Sequence, residues 1–140
     1  MTRENDECVS LTDMRKLEAV NYDWGAVKWV CNGKLAPGCC QSVGYVFVLP
    51  GKTNPQHYHT NSQEVVFMLS GEIDVIVGKE KYTLKAGQTA VIPLGVKHIV
   101  VNNGWEPATY VASFSASNRG TLFSEKTSSG APEDTVDVLY

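Results

Sequence analysis

The sequence predicts an all-β fold, in which short strands build a sandwich or jelly roll around one core. Between about residues 43 and 115, the chain consists of short runs that are rich in β-branched and aromatic residues. Gly, Pro and Asn separate these runs, and no segment in this region keeps the apolar period of a helix. Many short strands with frequent turns are typical of such antiparallel architectures.

Seven strands are predicted in this region, and each ends near residues that favour a turn. Glycine accepts positive φ, proline fixes its own φ, and asparagine tolerates the left-handed region, so these residues interrupt the runs. The expected turns lie at residues 50–51, 70–71, 85–87, 93–95 and 102–104. The predicted strands span residues 44–49, 63–69, 72–77, 81–85, 89–93, 98–102 and 108–115.

The flanking segments are predicted to be a short N-terminal extension and a mobile C-terminal tail. Residues 11–20 are expected to form one or two helical turns, and the apolar piece with Trp24 and Trp29 to add an outer strand. Residues 125–135 are rich in Ser, Thr, Gly, Pro and acidic residues, a composition typical of a mobile arm. The more apolar residues 136–140 are expected either to dock as an edge strand on a neighbouring subunit or to fray.

The length and composition predict one globular domain. A chain of 140 residues with 43% hydrophobic and 19% charged residues is large enough for a single core. We expect residues 1–140 to be one domain, with a barrel core at about 40–117 and the tail at about 118–140.

Charge and hydropathy argue against nucleic acid and membrane as partners. The formal net charge is −3, so the chain has no basic field that would attract a phosphate backbone. No segment approaches the roughly 20 apolar residues of a spanning helix, and residues 1–10 contain no signal-like apolar run. We therefore expect a cytoplasmic protein whose four cysteines, which follow no zinc-binding spacing, are free thiols.

The three histidines of the chain and one glutamate form the candidate site. His57 and His59 are two residues apart, which places both imidazoles on one face of a strand. Glu64 opens an apolar run, where a metal ion would neutralise an otherwise costly carboxylate. His98 begins a later β-branched run, from which a barrel interior would bring it to the same place. The alternative is that these are ordinary half-buried histidines and a surface glutamate.

Such a donor set predicts the kind of ion. Three neutral imidazoles and one carboxylate suit one divalent transition metal per chain, namely Fe, Mn, Co, Ni, Cu or Zn, and do not suit Ca or Mg. If the ion is six-coordinate, two positions remain for water, substrate or dioxygen. Function is then expected at these open positions.

The same residues resemble the two diagnostic motifs of the cupin superfamily. The first motif, G-x5-H-x-H-x3–4-E-x6-G, is matched at Gly51, His57, His59, Glu64 and Gly71. The second, G-x5-P-x-G-x2-H-x3-N, is matched at Gly87, Pro93, Gly95, His98 and Asn102. The resemblance implies a double-stranded β-helix, the jelly-roll or cupin barrel, and usually a homodimer. It also implies a metal ion held at the positions of His57, His59, Glu64 and His98.

Within that superfamily, the chain resembles small single-domain members that include polyketide cyclases and dioxygenases. This resemblance and the metal site predict an enzyme acting on a small chelating organic substrate, such as an enol, diketone, phenol or hydroxy acid. Since every histidine serves as a ligand, the catalytic base is expected to be Glu64 released from the metal, a metal-bound hydroxide, or a Tyr or Lys. Dioxygenase or oxidase chemistry is the first hypothesis. A redox-neutral cyclase, isomerase or lyase and a non-catalytic binding protein remain alternatives.

A substrate pocket is expected beside the ion. Val66 and Met68 share strand parity with Glu64, and Val100 lies on the strand of His98, so these residues are candidates for an apolar wall. Each of them is equally suited to the core. The candidates for an aromatic wall, for which plain core packing is the alternative, are Tyr45, Phe47, Tyr110 and Phe114.

Overall fold

The computed structural model of the protein describes residues 9–126 and 132–138. In this part of the chain, one 3-10 turn, Met14–Lys16, precedes twelve strands. They are β1 (Val20–Tyr22), β2 (Gly25–Cys31), β3 (Ser42–Val48), β4 (His57–His59), β5 (Glu64–Ser70), β6 (Glu72–Val77), β7 (Glu80–Lys85), β8 (Thr89–Ile92), β9 (Ile99–Val101), β10 (Ala108–Phe114), β11 (Gly120–Lys126) and β12 (Pro132–Val138). The predicted all-β class is therefore confirmed.

The strands pair into antiparallel sheets with the strand order of a jelly-roll barrel. One six-stranded sheet has the order β1-β2-β3-β10-β5-β8. Two three-stranded sheets have the orders β12-β11-β4 and β7-β6-β9. Neighbours such as β3 and β10 are far apart in sequence, as expected for a jelly-roll barrel, in which early and late strands of the chain pair with each other.

The core lies on one face of these strands. Along β3 and β10, buried residues alternate strictly with half-buried ones, as expected when successive side chains point to opposite faces. Val66 and Met68 of β5 and Ile73 and Val75 of β6 belong to the same buried cluster, so residues from two different sheets share one core. Val100 of β9 belongs to this cluster as well.

The short strand β4 connects the core to the end of the chain. Its three residues pair with β11, with His57 opposite Phe123 and His59 opposite Thr121. On its other side, the backbone N–H of His57 donates to the carbonyl of His98 at 3.1 Å, and the N–H of His98 donates to the carbonyl of His57 at 2.9 Å. Strand β4 is thus held on both sides.

All seven predicted strands overlap observed ones, with ends that differ by two residues or fewer. The predicted outer strand is β2, which contains Trp29 and follows Trp24, and the predicted helical turns reduce to Met14–Lys16. The described cysteines, Cys31, Cys39 and Cys40, are free thiols as expected, whereas Cys8 lies outside the described residues.

The expected boundary between barrel and tail is wrong. Residues 120–126 form β11, which joins β4 in the wall of the barrel, and residues 132–138 form β12, which pairs with β11. The polar composition of this stretch is compatible with strands because one face of such a strand pair need not be buried. Of the predicted mobile arm, residues 127–131 lie outside the described residues, as do residues 139–140.

Within the residues that the structure describes, no helix has the length and apolarity that crossing a membrane requires.

Candidate metal centre

Strand β4 presents two histidines to the interior. His57 and His59 are 8% and 4% exposed, while Tyr58 between them is half-buried, so the alternation of the strand turns both imidazoles inward. Their ring centroids are 5.1 Å apart. This is the arrangement that the i, i+2 spacing predicts.

Two further strands bring Glu64 and His98 to the same point. Glu64 is the first residue of β5, and its Oε2 atom lies 3.1 Å from His98 Nε2 and 3.2 Å from His59 Nε2. His98 is completely buried immediately before β9, and its ring centroid is 4.2 Å from that of His57. One potential ligand atom from each of the four residues falls within a cluster no more than 4.8 Å across.

The hydrogen bonds of the imidazoles orient their Nε2 atoms toward this cluster. The Nδ1 atoms of His57, His98 and His59 lie 2.9, 2.9 and 3.3 Å from the carbonyl oxygens of Pro55, Val96 and Gly120, respectively. A carbonyl oxygen can only accept, so each Nδ1 carries the proton and donates it. Each Nε2 is then the atom left to bind a metal ion.

The residues present fit a transition metal. Among the described residues, the buried His59 Nε2 atom has no hydrogen-bond partner, although it points at the carboxylate of Glu64. A buried polar atom without a partner is costly, and a bound cation would satisfy it. The donor set of three imidazole nitrogens and one carboxylate oxygen is suited to Fe, Mn, Co, Ni, Cu or Zn.

The pKa values of the clustered side chains are compatible with replacement of a bound proton by a metal cation. Burial, aided by His98, lowers the pKa of His57 to about 3, so this imidazole is neutral at pH 7. Burial acts to raise the pKa of Glu64, but the adjacent imidazoles of His59 and His98 outweigh it and hold this pKa well below its usual value. Burial acts to lower the pKa of His98, but the hydrogen bond and charge of Glu64 raise it. A metal ion would replace the proton that His98 and Glu64 share.

A cavity of about 250 Å³ opens beside the cluster. His57, His59 and Glu64 contribute to its wall, as do Tyr110 and Phe114 from β10. Burial and the charge of Glu64 raise the pKa of Tyr110, so this phenol can donate a hydrogen bond but cannot serve as a base at neutral pH. The low pKa of Glu64 likewise suits a metal ligand better than a proton acceptor.

Five predicted pocket residues lie elsewhere. Tyr45 and Phe47 are on the half-buried face of β3, because the buried positions of that strand have the opposite parity, and Val46 lines the cavity instead. Val66, Met68 and Val100 do point inward, but they pack in the apolar core and do not line the cavity. For these three residues, the alternative assignment to the core is the one the structure supports.

Several cavity residues were not predicted. Trp29 and Val27 come from β2, which was expected only as an outer strand, and Arg119, Thr121 and Phe123 come from the stretch assigned to the tail. The aromatic and apolar character of β2 was a visible signal, whereas the stretch from Arg119 onward reveals its place only through its pairing with β4.

Comparisons with known proteins identify the family of this chain. A family model described as Cupin domain matches residues 44–114. The rhicadhesin receptor of Pisum sativum is 35% identical over 118 residues, which cover 76% of this chain and 53% of that protein. Germin-like protein subfamily 2 member 2 of Arabidopsis thaliana is 32% identical over 114 residues, which cover 76% of this chain and 52% of that protein. This chain therefore spans about half the length of these curated relatives.

A solved structure is similar as well. Recombinant oxalate oxidase in complex with glycolate is 32% identical and superposes with a TM-score of 0.67. The match covers 76% of this chain and 59% of that one.

Proposed function

Because this chain belongs to the cupin domain family, we propose that it is a metal-dependent oxidase or dioxygenase acting on a small chelating organic acid. The observation that carries the proposal is the cluster of His57, His59, Glu64 and His98 beside a cavity whose wall includes the first three of these residues. A structural ion needs no adjacent cavity, whereas a catalytic one needs space for substrate at its open positions.

The four clustered residues would hold the ion, and the rest of the wall would position the substrate. When bound, a redox-active ion would accept the oxygen atoms of the substrate and allow electrons to pass to dioxygen. Tyr110 stays protonated and can donate a hydrogen bond to a substrate oxygen. The apolar side chains of Val27, Val46 and Ala112 exclude water from the reacting groups.

Hydroxy acids are the favoured class among the chelating substrates. The similar solved protein is an oxalate oxidase that holds glycolate, which is itself a 2-hydroxy acid. A 2-hydroxy acid offers a carboxylate and a hydroxyl oxygen to adjacent positions of one ion, and two open positions are what four protein ligands leave on a six-coordinate metal.

Elemental analysis of the purified protein and matched variants tests the metal site. We expect close to one transition metal ion per chain in the native protein and almost none in the His57→Ala, His98→Ala double variant. Glu64→Gln should also lose metal. The control, Glu72→Gln, makes the same change at an exposed glutamate that opens the neighbouring strand β6 and should keep it. A native protein that neither contains nor takes up metal would overturn the proposal.

Oxygen consumption then tests the reaction. With the native metal and a panel of 2-hydroxy acids and oxalate, we expect substrate-dependent oxygen uptake that the double variant lacks. Turnover of the same acids under strictly anaerobic conditions would instead indicate redox-neutral, Lewis-acid chemistry. The homodimer and the cytoplasmic location stay predictions, and a light-scattering mass of twice the 15.3 kDa chain would support the homodimer.

A further inference from the structure

Two thiols meet at the end of strand β2. Cys31 is the last residue of β2, and Cys39 lies in the loop that leads to β3. Both are half-buried, and their Sγ atoms are 3.9 Å apart. A disulfide bond is about 2.05 Å long, so the two sulfur atoms need to come about 1.9 Å closer to form one.

The contacts of the two thiols are weak enough to allow this approach. The Cys39 thiol donates to the carbonyl oxygen of Gln41 at 3.3 Å, and Cys31 Sγ lies 3.9 Å from the same oxygen. A thiol is a weak donor, so little is lost when these contacts break. Gly38, directly before Cys39, has a φ of 91°, and apart from its chain neighbours no heavy atom of the described residues lies within 4 Å of its Cβ position. The turn therefore has room to adjust.

The loop between the thiols is folded back by its own hydrogen bonds, which keeps the two sulfur atoms close. Asn32 is 2% exposed, and its Oδ1 atom accepts from the backbone N–H groups of Lys34 and Leu35 at 3.1 and 2.9 Å. The Ala36 N–H donates to the carbonyl of Asn32 at 2.9 Å, and the Cys39 N–H donates to the carbonyl of Ala36 at 3.1 Å. Two groups held together in this way react as an intramolecular pair.

Exposed Cys40 follows Cys39 directly but is a poor disulfide partner for it. The Cα atoms of neighbouring residues are about 3.8 Å apart across a trans peptide bond. Disulfides usually need a Cα–Cα distance of about 4.4–6.8 Å. Cys40 is therefore a matched control, because it is a thiol of the same loop that lies outside the proposed pair.

We propose that Cys31 and Cys39 are a site of reversible oxidation, at which hydrogen peroxide converts the two thiols into a disulfide. In the first step, the Cys39 sulfur attacks peroxide: an S–O bond forms, the O–O bond breaks, and hydroxide leaves and takes up the thiol proton as water. The Cys31 sulfur then attacks the resulting sulfenic acid: the S–S bond forms, the S–O bond breaks, and a second water leaves with the proton of Cys31. Two thiols and one peroxide thus give one disulfide and two waters.

The environment of Cys31 supports this order of steps. Burial, aided by Cys39, raises the pKa of Cys31, so its thiolate is scarce at neutral pH and meets free peroxide slowly. Its reaction with a sulfenic acid on Cys39 is intramolecular, and proximity compensates for the small thiolate fraction.

The bond would act on strands that line the cavity. Cys31 follows the cavity residue Trp29 on β2, and Trp29 packs on Phe114 with ring centroids 5.9 Å apart. Inside the loop, the Gly33 N–H donates to the carbonyl of Ser117, shortly before β11, at 3.0 Å. An oxidase that passes two electrons from its substrate to dioxygen releases hydrogen peroxide, so the proposed function would supply the oxidant. Only this source of peroxide rests on the proposed function.

Peptide mapping of the peroxide-treated native protein tests the site. Trypsin cleaves after Lys28, Lys34 and Lys52, which places Cys31 on one peptide and both Cys39 and Cys40 on the next. After remaining thiols are blocked, we expect these two peptides to be joined, with fragment spectra that assign the bond to Cys39. Dithiothreitol should separate them again.

Three serine variants resolve the roles of the thiols. Cys40→Ser should keep the joined peptides, and Cys39→Ser should lose them. In Cys31→Ser, the sulfenic acid on Cys39 has no thiol to resolve it, so labelling of Cys39 by dimedone should rise at least about fivefold over the native protein.

Several results would overturn the inference. These are a bond that Cys40→Ser abolishes, a bond from Cys8 in place of Cys31, irreversible oxidation of Cys39 without any disulfide, and equal dimedone labelling of Cys39 in the native protein and Cys31→Ser. The His57→Ala, His98→Ala variant should form the same disulfide with added peroxide. A metal site that fails its own test would therefore leave this result unchanged.

Discussion

The hydrogen bond at Nδ1 of each histidine determines the direction in which its Nε2 atom points. His59 differs from the other two because its Nδ1 faces two oxygens, the Thr121 hydroxyl at 3.1 Å and the Gly120 carbonyl at 3.3 Å. Both groups belong to the start of β11. The start of β11 therefore orients the imidazole of His59, a candidate metal ligand on β4.

Thr121→Val should weaken metal binding, because it removes the shorter of these two contacts. Loss of such an outer partner commonly lowers metal affinity by about 10- to 100-fold, and we expect the lower end since the Gly120 carbonyl remains. Competition with a chelator measures the change. Thr89→Val, an equivalent substitution at an exposed position of β8, is the control. Equal affinity in the two variants would contradict the role of Thr121.

The thiol of Cys31 should react more slowly than that of exposed Cys40. Burial, together with the neighbouring Cys39 at an Sγ–Sγ distance of 3.9 Å, raises the pKa of Cys31. Only the thiolate is alkylated, so Cys31 reacts slowly at pH 7 and gains reactivity as the pH rises toward its elevated pKa. Timed iodoacetamide labelling with fragment mass spectrometry resolves the sites. Faster labelling of Cys31 than of Cys40 at pH 7 would refute this expectation.

At the scale of elements, buried Asn102 joins the end of β3 to the loop before β10. Its Nδ2 donates to the carbonyls of Val48 and Glu106 at 3.0 and 2.8 Å, and its Oδ1 accepts from the Gly104 amide at 2.9 Å. The motif asparagine therefore works as a connector between strands as well as a turn residue.

Asn102→Ala should destabilise the protein by roughly 2–4 kcal/mol, since several buried or half-buried backbone groups lose their partner and each costs about 1–3 kcal/mol. Urea unfolding measures the difference. Exposed Asn103 makes a single bond, to Asp74, and Asn103→Ala is expected to cost under about 1.5 kcal/mol. The expectation would fail if both variants unfolded at the native urea concentration.

The strands that could be predicted are those whose residues favour a strand locally. Runs such as 64–70 and 108–114 are apolar and β-branched, and a turn residue ends each of them. Strand β4 is only three residues long, and β11 is recognisable only through its pairing with β4, so neither is evident from local composition. The glycine and proline positions between the runs were informative because only a few residue types suit those turns.

The four clustered residues of the candidate site could be predicted from the sequence, whereas most residues that line the adjacent cavity could not. Spacing alone brings His57, His59 and Glu64 to one place, since β alternation and a short connector leave little freedom. The wall depends on which face of each strand is buried. Residues 45–48 of β3 are all apolar, so the sequence contains no alternation that would show that Val46, rather than Tyr45 or Phe47, faces the cavity.

At the scale of the whole molecule, a metal ion that binds at the junction of several strands should raise the melting temperature. Binding to the native state alone stabilises by about 2.7 kcal/mol at a free metal concentration of 100 times Kd. For a chain of 140 residues, this corresponds to a shift on the order of 10 °C. Thermal unfolding followed by circular dichroism should show this shift in the native protein and none in the His57→Ala, His98→Ala variant. A similar shift in both would indicate binding elsewhere.

The backbone pairing between His57 and His98 also bears on when the candidate metal site can form during synthesis. A ribosome releases His57, His59 and Glu64 well before His98, and Thr121 emerges later still. During synthesis, the early three residues would offer an ion only part of the proposed ligand set, because His98 and β11 have not yet paired with β4. Pairings between residues so distant in sequence form slowly, so the nascent chain should capture its ion only after most of the barrel has been translated. The metal ions present late in translation or after it would then determine which ion the protein acquires.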